Sequence, residues 1–233
     1  PPPPPPPHFH AEDGIRDTNS GLVGSEMCIR DRVYGGLLAW RQTDMKKMIA
    51  YSSVSHMGVV LLGIATLNIT GITGAVMQMT AHGLVAGALF LLIGLLYERT
   101  HTRDIRDFSS LVRTTPRFAF FTILAFIAAI GMPGTAGFIA ELHTLIGGFQ
   151  QWGWLILALS LGIMISAAYA IRTIGRLFTG PSRDEMSDVL DLRNTEMLAA
   201  GLLTTGTIVL GVFPAFLLQY ITPSVVSLSR LFS

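Results

Sequence analysis

The sequence predicts an all-α fold: a polytopic transmembrane helix bundle of about five membrane spans, preceded by a helix stub and containing one broken helix. Three observations carry this. Half of the 233 residues are hydrophobic and only 13% are charged, against roughly 25% in ordinary globular chains. So little charge would leave a water-soluble fold with large exposed apolar patches. Apolar stretches near the length of about 20 residues that crosses a bilayer core recur along the chain. The basic residues, in turn, collect in alternate connections between those stretches. A formal charge of +1 gives no basic excess for nucleic-acid binding. The single cysteine, Cys28, makes neither an intrachain disulfide nor a four-cysteine metal or iron–sulfur site.

Residues 1–32 stand apart. Seven prolines precede His8, Phe9 and His10, and residues 11–32 show no hydrophobic period and no signal-peptide pattern. A proline run ordinarily reads as a polyproline linker or SH3-type ligand. A second reading fits better, because AEDGIRD and VGSEMCIRD resemble conceptual translations of the oligonucleotide adapters used in sequencing libraries. Residues 1–32 are therefore expected to be an artefactual, disordered segment, and 33–233 the transmembrane domain. Cys28 leaves with that segment. The natural protein is expected to extend upstream of Val33.

Val33–Trp40 reads as the stub of a helix. Full spans are expected at 46–67, 74–97, 117–149 (interrupted), 152–178 and 197–222. Before the first lie Arg41, Lys46 and Lys47; after the second, Arg99, Arg103, Arg106, Arg113 and Arg117; after the fourth, Arg172, Arg176, Arg183 and Arg193. The opposite connections hold only Arg230. By the positive-inside rule the basic loops face the cytoplasm and the C-terminus faces the periplasm.

The third stretch would run roughly 50 Å if continuous, too long for a core of about 30 Å. It contains Gly131-Met132-Pro133-Gly134. Proline removes a backbone donor and clashes with the preceding turn, so a broken helix is expected there. Broken membrane helices leave free backbone groups, which are tolerated where they line a polar cavity.

Glu141 lies eight residues beyond Pro133 and is the one acid inside any span. Ionisable groups at such depth are costly and usually handle ions or protons. Gln78 and His82 are four apart and share a helix face. His82, with a ring that titrates near neutrality, suits a relay, a packing histidine being the alternative. His56, among Ser52, Ser53 and Ser55, reads more as helix-packing glue. Lys46 and Lys47 follow Asp44, a helix N-cap; they serve as topology anchors or, for Lys46, as a proton-exchanging charge. No phosphate loop, nucleophile elbow or metal-ligand spacing appears.

The strings DMKKMIAYSSVSHMGVVLLGI, TGAVMQMTAHGLVAGALFLLIGLLYERTHTRDI and GMPGTAGFIAEL closely resemble the NuoM-type antiporter-like membrane subunits of respiratory complex I, the proton-pumping NADH:quinone oxidoreductase. The resemblance covers essentially all of 33–233. It implies two inverted five-helix repeats, each with one broken helix, of which this chain supplies the second. It places the exchanging acid on Glu141, the relay histidine on His82 and a relay lysine on Lys46. It implies that the chain itself holds no cofactor or metal, while NADH, FMN, iron–sulfur clusters and quinone serve the parent complex. Other membrane subunits of the complex, sister antiporter-like subunits among them, and the lipid bilayer are the implied partners, in a bacterial inner membrane. Subunits of cation/proton antiporters or membrane-bound hydrogenases are the alternative, as is an inactive structural fragment.

Overall fold

The computed structural model describes residues 18–181 and 189–230. Arg183 and the first part of the adapter-like segment lie outside the described residues. Nine α-helices follow one another there: α1 (Thr18–Arg41), α2 (Met45–Ala65), α3 (Ile69–Thr100), the short α4 (Leu111–Thr114), α5 (Pro116–Ile130), α6 (Ala136–Trp152), α7 (Ala158–Phe178), α8 (Asn194–Val212) and α9 (Ala215–Ser229). Short 3-10 turns, Ile105–Asp107 and Gly153–Leu157, complete the order. No strand occurs among the described residues. Four helices there are long and apolar enough to cross a membrane.

Two expectations need correction. The stub at Val33 belongs to a longer helix, so residues 18–32 are helical rather than disordered. From Cys28 onward this helix is held by packing: Cys28 joins Val59 and Leu62 of α2 in a small apolar cluster. Gly58 makes room for it, since a Cβ there would stand 2.9 Å from the Cys28 carbonyl oxygen. The second correction concerns the expected span 197–222, which breaks at Phe213-Pro214 into α8 and α9. A residue before proline is steered out of the helical region, and Phe213 has φ −118° and ψ 63°.

The interrupted span behaves as its composition requires. Ile130 ends α5, and Gly131 follows in the left-handed region at φ 79°. Gly134 is also left-handed, at φ 95°. Thr135 closes the turn by donating from its hydroxyl to the Met132 carbonyl at 2.8 Å, and α6 begins at Ala136. Gly211 of α8 lies so close to this turn that a Cβ would come within 2.5 Å of the Gly134 carbonyl oxygen. α8 thus buttresses the break.

Close helix crossings set the rest. A Cβ on Gly147 of α6 would meet the Gly71 Cα of α3 at 2.5 Å, and one on Gly74 would meet the Thr144 nitrogen at 2.7 Å. Small residues let the two backbones approach, the usual device of membrane helices. At the other end, Asp191 accepts from the Arg117 and Phe118 amides, both at 3.0 Å, capping α5. Arg99 of α3 pairs with Glu196 of α8 at 2.5 Å. The loops before α2 and after α3 are laced by Met45 donating to Arg103 and Ile105 donating to Thr43.

Candidate functional site

Arg32 and Glu141 are the only Asp, Glu, Lys or Arg buried among the described residues. They meet. Arg32 Nη2 donates to Glu141 Oε1 at 2.7 Å, and Arg32 Nη1 lies 3.0 Å from His56 Nδ1. His56 Nδ1 stands 3.8 Å from the same carboxylate oxygen and 3.5 Å from Gln78 Nε2. The His56 and His82 rings lie beside one another with centroids 5.2 Å apart. Glu141, His56, Gln78 and His82 then line one cavity of about 10 Å³, together with Gly131 at the helix break. A space of that size holds about one water.

Each element earns its place. The break frees one side of the carboxylate: a Cβ on Gly131 would press to 3.2 Å from Glu141 Oε2. Gln78 and His82, one turn apart on α3, present their shared face to α2 and α6. Ser55 of α2 fixes the Arg32 backbone by donating to its carbonyl at 2.6 Å. Gly162 of α7 receives the Arg32 side chain, whose Cγ would lie 2.4 Å from a Cβ there.

Three of the expected site residues, Glu141, His82 and Gln78, are brought together. His56, ranked lower in sequence, is at the centre rather than at the periphery. The serines around it gave the wrong emphasis: Ser52 and Ser53 turn back onto the Ile49 carbonyl of their own helix. Lys46 and Lys47 lie apart from this group. Both are exposed in the first turn of α2, and Lys46 precedes His56 by ten residues, roughly 15 Å of helix. Neither reaches the carboxylate. Arg32 takes the cationic place instead, and sequence reasoning missed it because its segment carries no hydrophobic period. One signal was available: the second adapter-like string ends at Asp31, one residue short of Arg32.

Chemically, the arrangement offers an acid with two carboxylate oxygens in different surroundings. Oε1 accepts from the Arg32 guanidinium, with the His56 ring 3.8 Å away, while Oε2 faces the break. No group of three or more His, Cys, Asp or Glu residues that could hold a metal occurs among the described residues. Imidazole, amide and carboxylate in sequence are proton-handling groups.

The family model described as "NADH:quinone oxidoreductase/Mrp antiporter, TM" matches residues 28–166. The chain belongs to this family. It is a multi-pass membrane protein. It is 41% identical over 197 residues to NADH-quinone oxidoreductase subunit M of Rhodobacter capsulatus, covering 84% of this chain and 38% of that protein. To NADH-ubiquinone oxidoreductase chain 4 of Chondrus crispus it is 41% identical over 202 residues, covering 86% and 41%. The chain thus spans about two fifths of the length of these curated relatives. A chain of the solved structure "Respiratory complex I from Thermus thermophilus with bound NADH" superposes with TM-score 0.88 at 31% identity, over 96% of this chain and 47% of that one. The Mrp complex from Dietzia sp. DQ12-45-1b shares the fold, with TM-score 0.80 at 21% identity over 91% of this chain and 48% of that one.

Proposed function

We propose that the chain forms the second half of a proton-translocating membrane subunit of an NADH:quinone oxidoreductase in a bacterial inner membrane, with Glu141 as its exchanging acid. The observation that carries this reading is the position of Glu141: buried, beside a helix break, paired with Arg32 and bordering the cavity of His56, Gln78 and His82. Relatives named as subunit M support the complex I assignment over the antiporter alternative. Such a subunit carries no electrons. NADH, FMN, iron–sulfur clusters and quinone belong to partner subunits, and quinone reduction drives the proton step from a distance. The present chain alone, lacking the first repeat, is inactive on this reading.

In the proposed cycle a proton passes between His82, the cavity water and Glu141. The incoming proton and the Arg32 guanidinium compete for Oε1, so exchange requires the 2.7 Å contact to open. His56 holds the released guanidinium through its 3.0 Å contact. Lys46 and Lys47 act as anchors at the cytoplasmic end of α2, in keeping with the basic loops on that side. The adapter-like residues before Arg32 are proposed to be foreign to the subunit; native codons for the prolines and AEDGIRD at the source locus would overturn this.

The test is Glu141→Gln in the full-length subunit within its complex. Proton uptake by inverted vesicles, divided by electrons transferred, should fall strongly while the complex assembles. A Glu141→Asp variant, which keeps a titratable group one methylene shorter, should retain part of the yield. Normal yield in Glu141→Gln would remove Glu141 from the path.

A further inference from the structure

One face of α7 is polar at a depth where the rest of the helix is apolar. Gly162, Ser166, Tyr169 and Thr173 recur at spacings of four, three and four, so they form one stripe. All four are buried. The stripe begins at the Glu141 centre: a Cβ on Gly162 would lie 2.8 Å from Arg32 Nε. It ends at a cavity of about 10 Å³ lined by Tyr169 and Thr173 together with Gln42, Thr43, Arg172 and Arg176. That cavity lies at the basic end of the bundle.

Between those two points three polar atoms are left over. Arg32 Nε, Ser166 Oγ and the Tyr169 hydroxyl have no hydrogen-bond partner among the described residues. Tyr169 and Ser166 are 2% and 1% exposed, so bulk solvent does not satisfy them. Ser52 of α2 and Ser166 flank the Tyr169 hydroxyl. Thr173 is different: its hydroxyl already donates to the Tyr169 carbonyl at 2.7 Å, which fixes this end of the stripe. Buried polar groups are rarely left unmade, and a run of them along one helix face is where internal water binds.

We propose that this stripe is a hydrated hydroxyl relay that carries protons between the Arg172 end of α7 and the Glu141 centre, with Tyr169 and Ser166 as its protein steps. The Tyr169 oxygen accepts a proton from cavity water as its own hydroxyl proton passes to a water held against Ser166. Ser166 repeats the exchange toward Glu141. Each hydroxyl regains its starting composition, so neither side chain carries charge between steps. The inference rests on Glu141 being the exchanging acid, but it concerns how protons arrive there.

The experiment uses the full-length subunit in its complex, in inverted vesicles, with Tyr169→Phe, Ser166→Ala and Glu141→Gln made separately. Tyr169→Phe keeps the ring and removes only the hydroxyl. The relay predicts that Tyr169→Phe lowers proton uptake per electron by roughly tenfold or more, a size typical of lost proton-transfer groups. It also predicts a larger D2O slowing of uptake in Ser166→Ala, which a purely packing role would not produce. Full yield and an unchanged D2O effect in both variants, with Glu141→Gln inactive, would overturn the relay and leave the Glu141 reading standing. Full yield in Glu141→Gln would overturn that reading itself. If Tyr169→Phe fails to assemble, Ser166→Ala and its D2O effect decide the matter alone.

Discussion

Arg32 Nη2 and Glu141 Oε1 lie 2.7 Å apart, joining side chains 0% and 7% exposed across 109 positions of sequence. Taking two charges from water is expensive, and their attraction offsets that cost only while both partners remain. The pair is therefore more important for what its loss exposes than for what its presence adds.

Arg32→Met strands the carboxylate in the bundle and should destabilise the chain by about 3–5 kcal/mol. The double variant Arg32→Met/Glu141→Gln removes both charges and should recover most of that loss. Denaturant unfolding in detergent micelles measures both. A double variant as unstable as the single one would show that the pair is not the source of the effect.

Gly131 and Gly134 separate strain from contact. Both are left-handed, at φ 79° and 95°, so alanine at either should cost about 1–2 kcal/mol in backbone strain. Only Gly131 has Glu141 against it, at 3.2 Å from the added Cβ; Gly134 has open space. Gly131→Ala should thus reduce proton yield as well as stability, and Gly134→Ala stability alone. Equal yields in the two variants, each measured per assembled complex, would contradict the placement of the break against the carboxylate.

Asp104 reports on the loop after α3. Hydrogen bonds from the Arg106 side chain and amide hold its carboxyl down at about 2, from an ordinary value of 3.8. A carboxyl with a depressed folded value contributes stability above its unfolded value and loses it as pH falls through the folded one. The 104–106 clamp should therefore persist from neutral pH to about 4 and loosen between about 3.8 and 2. The carbon chemical shift of the Asp104 carboxyl, followed by NMR against pH, checks this. A midpoint near 3.8 would mean that Arg106 does not hold it.

Arg113 is exposed on α4. In a Cys28→Ser background, a cysteine replacing Arg113 should react with an impermeant maleimide from the cytoplasmic face alone. Reaction only from the opposite face would reverse the orientation drawn from the basic loops.

Much of this fold was legible in the chain. Apolar runs of near-membrane length marked α2, α3 and α7. Gly-Met-Pro-Gly marked the break, because proline and left-handed glycines have few other uses at that depth. The i, i+4 spacing of Gln78 and His82 put them on one face, and the structure turns that face to Glu141. What the chain did not reveal is which faces meet. His56 sits on α2 among serines, and only the docking of α1 and α3 makes it the hub. Lys46 carries the right chemistry one helix end too far away. Arg32 sits in a stretch with no amphipathic pattern, so composition spoke against it, while its buried contacts with Glu141 and His56 spoke for it. Pro214 could have ended the last span, but the apolar residues on either side masked it.

The central claim is that the Glu141 carboxyl takes up and releases a proton during turnover. Infrared difference spectroscopy of the full-length subunit in its complex, reduced with NADH, reads this directly. The account predicts a carboxylic C=O band that appears and decays with turnover, shifts in D2O and vanishes in Glu141→Gln. A spectrum unchanged by Glu141→Gln would contradict it.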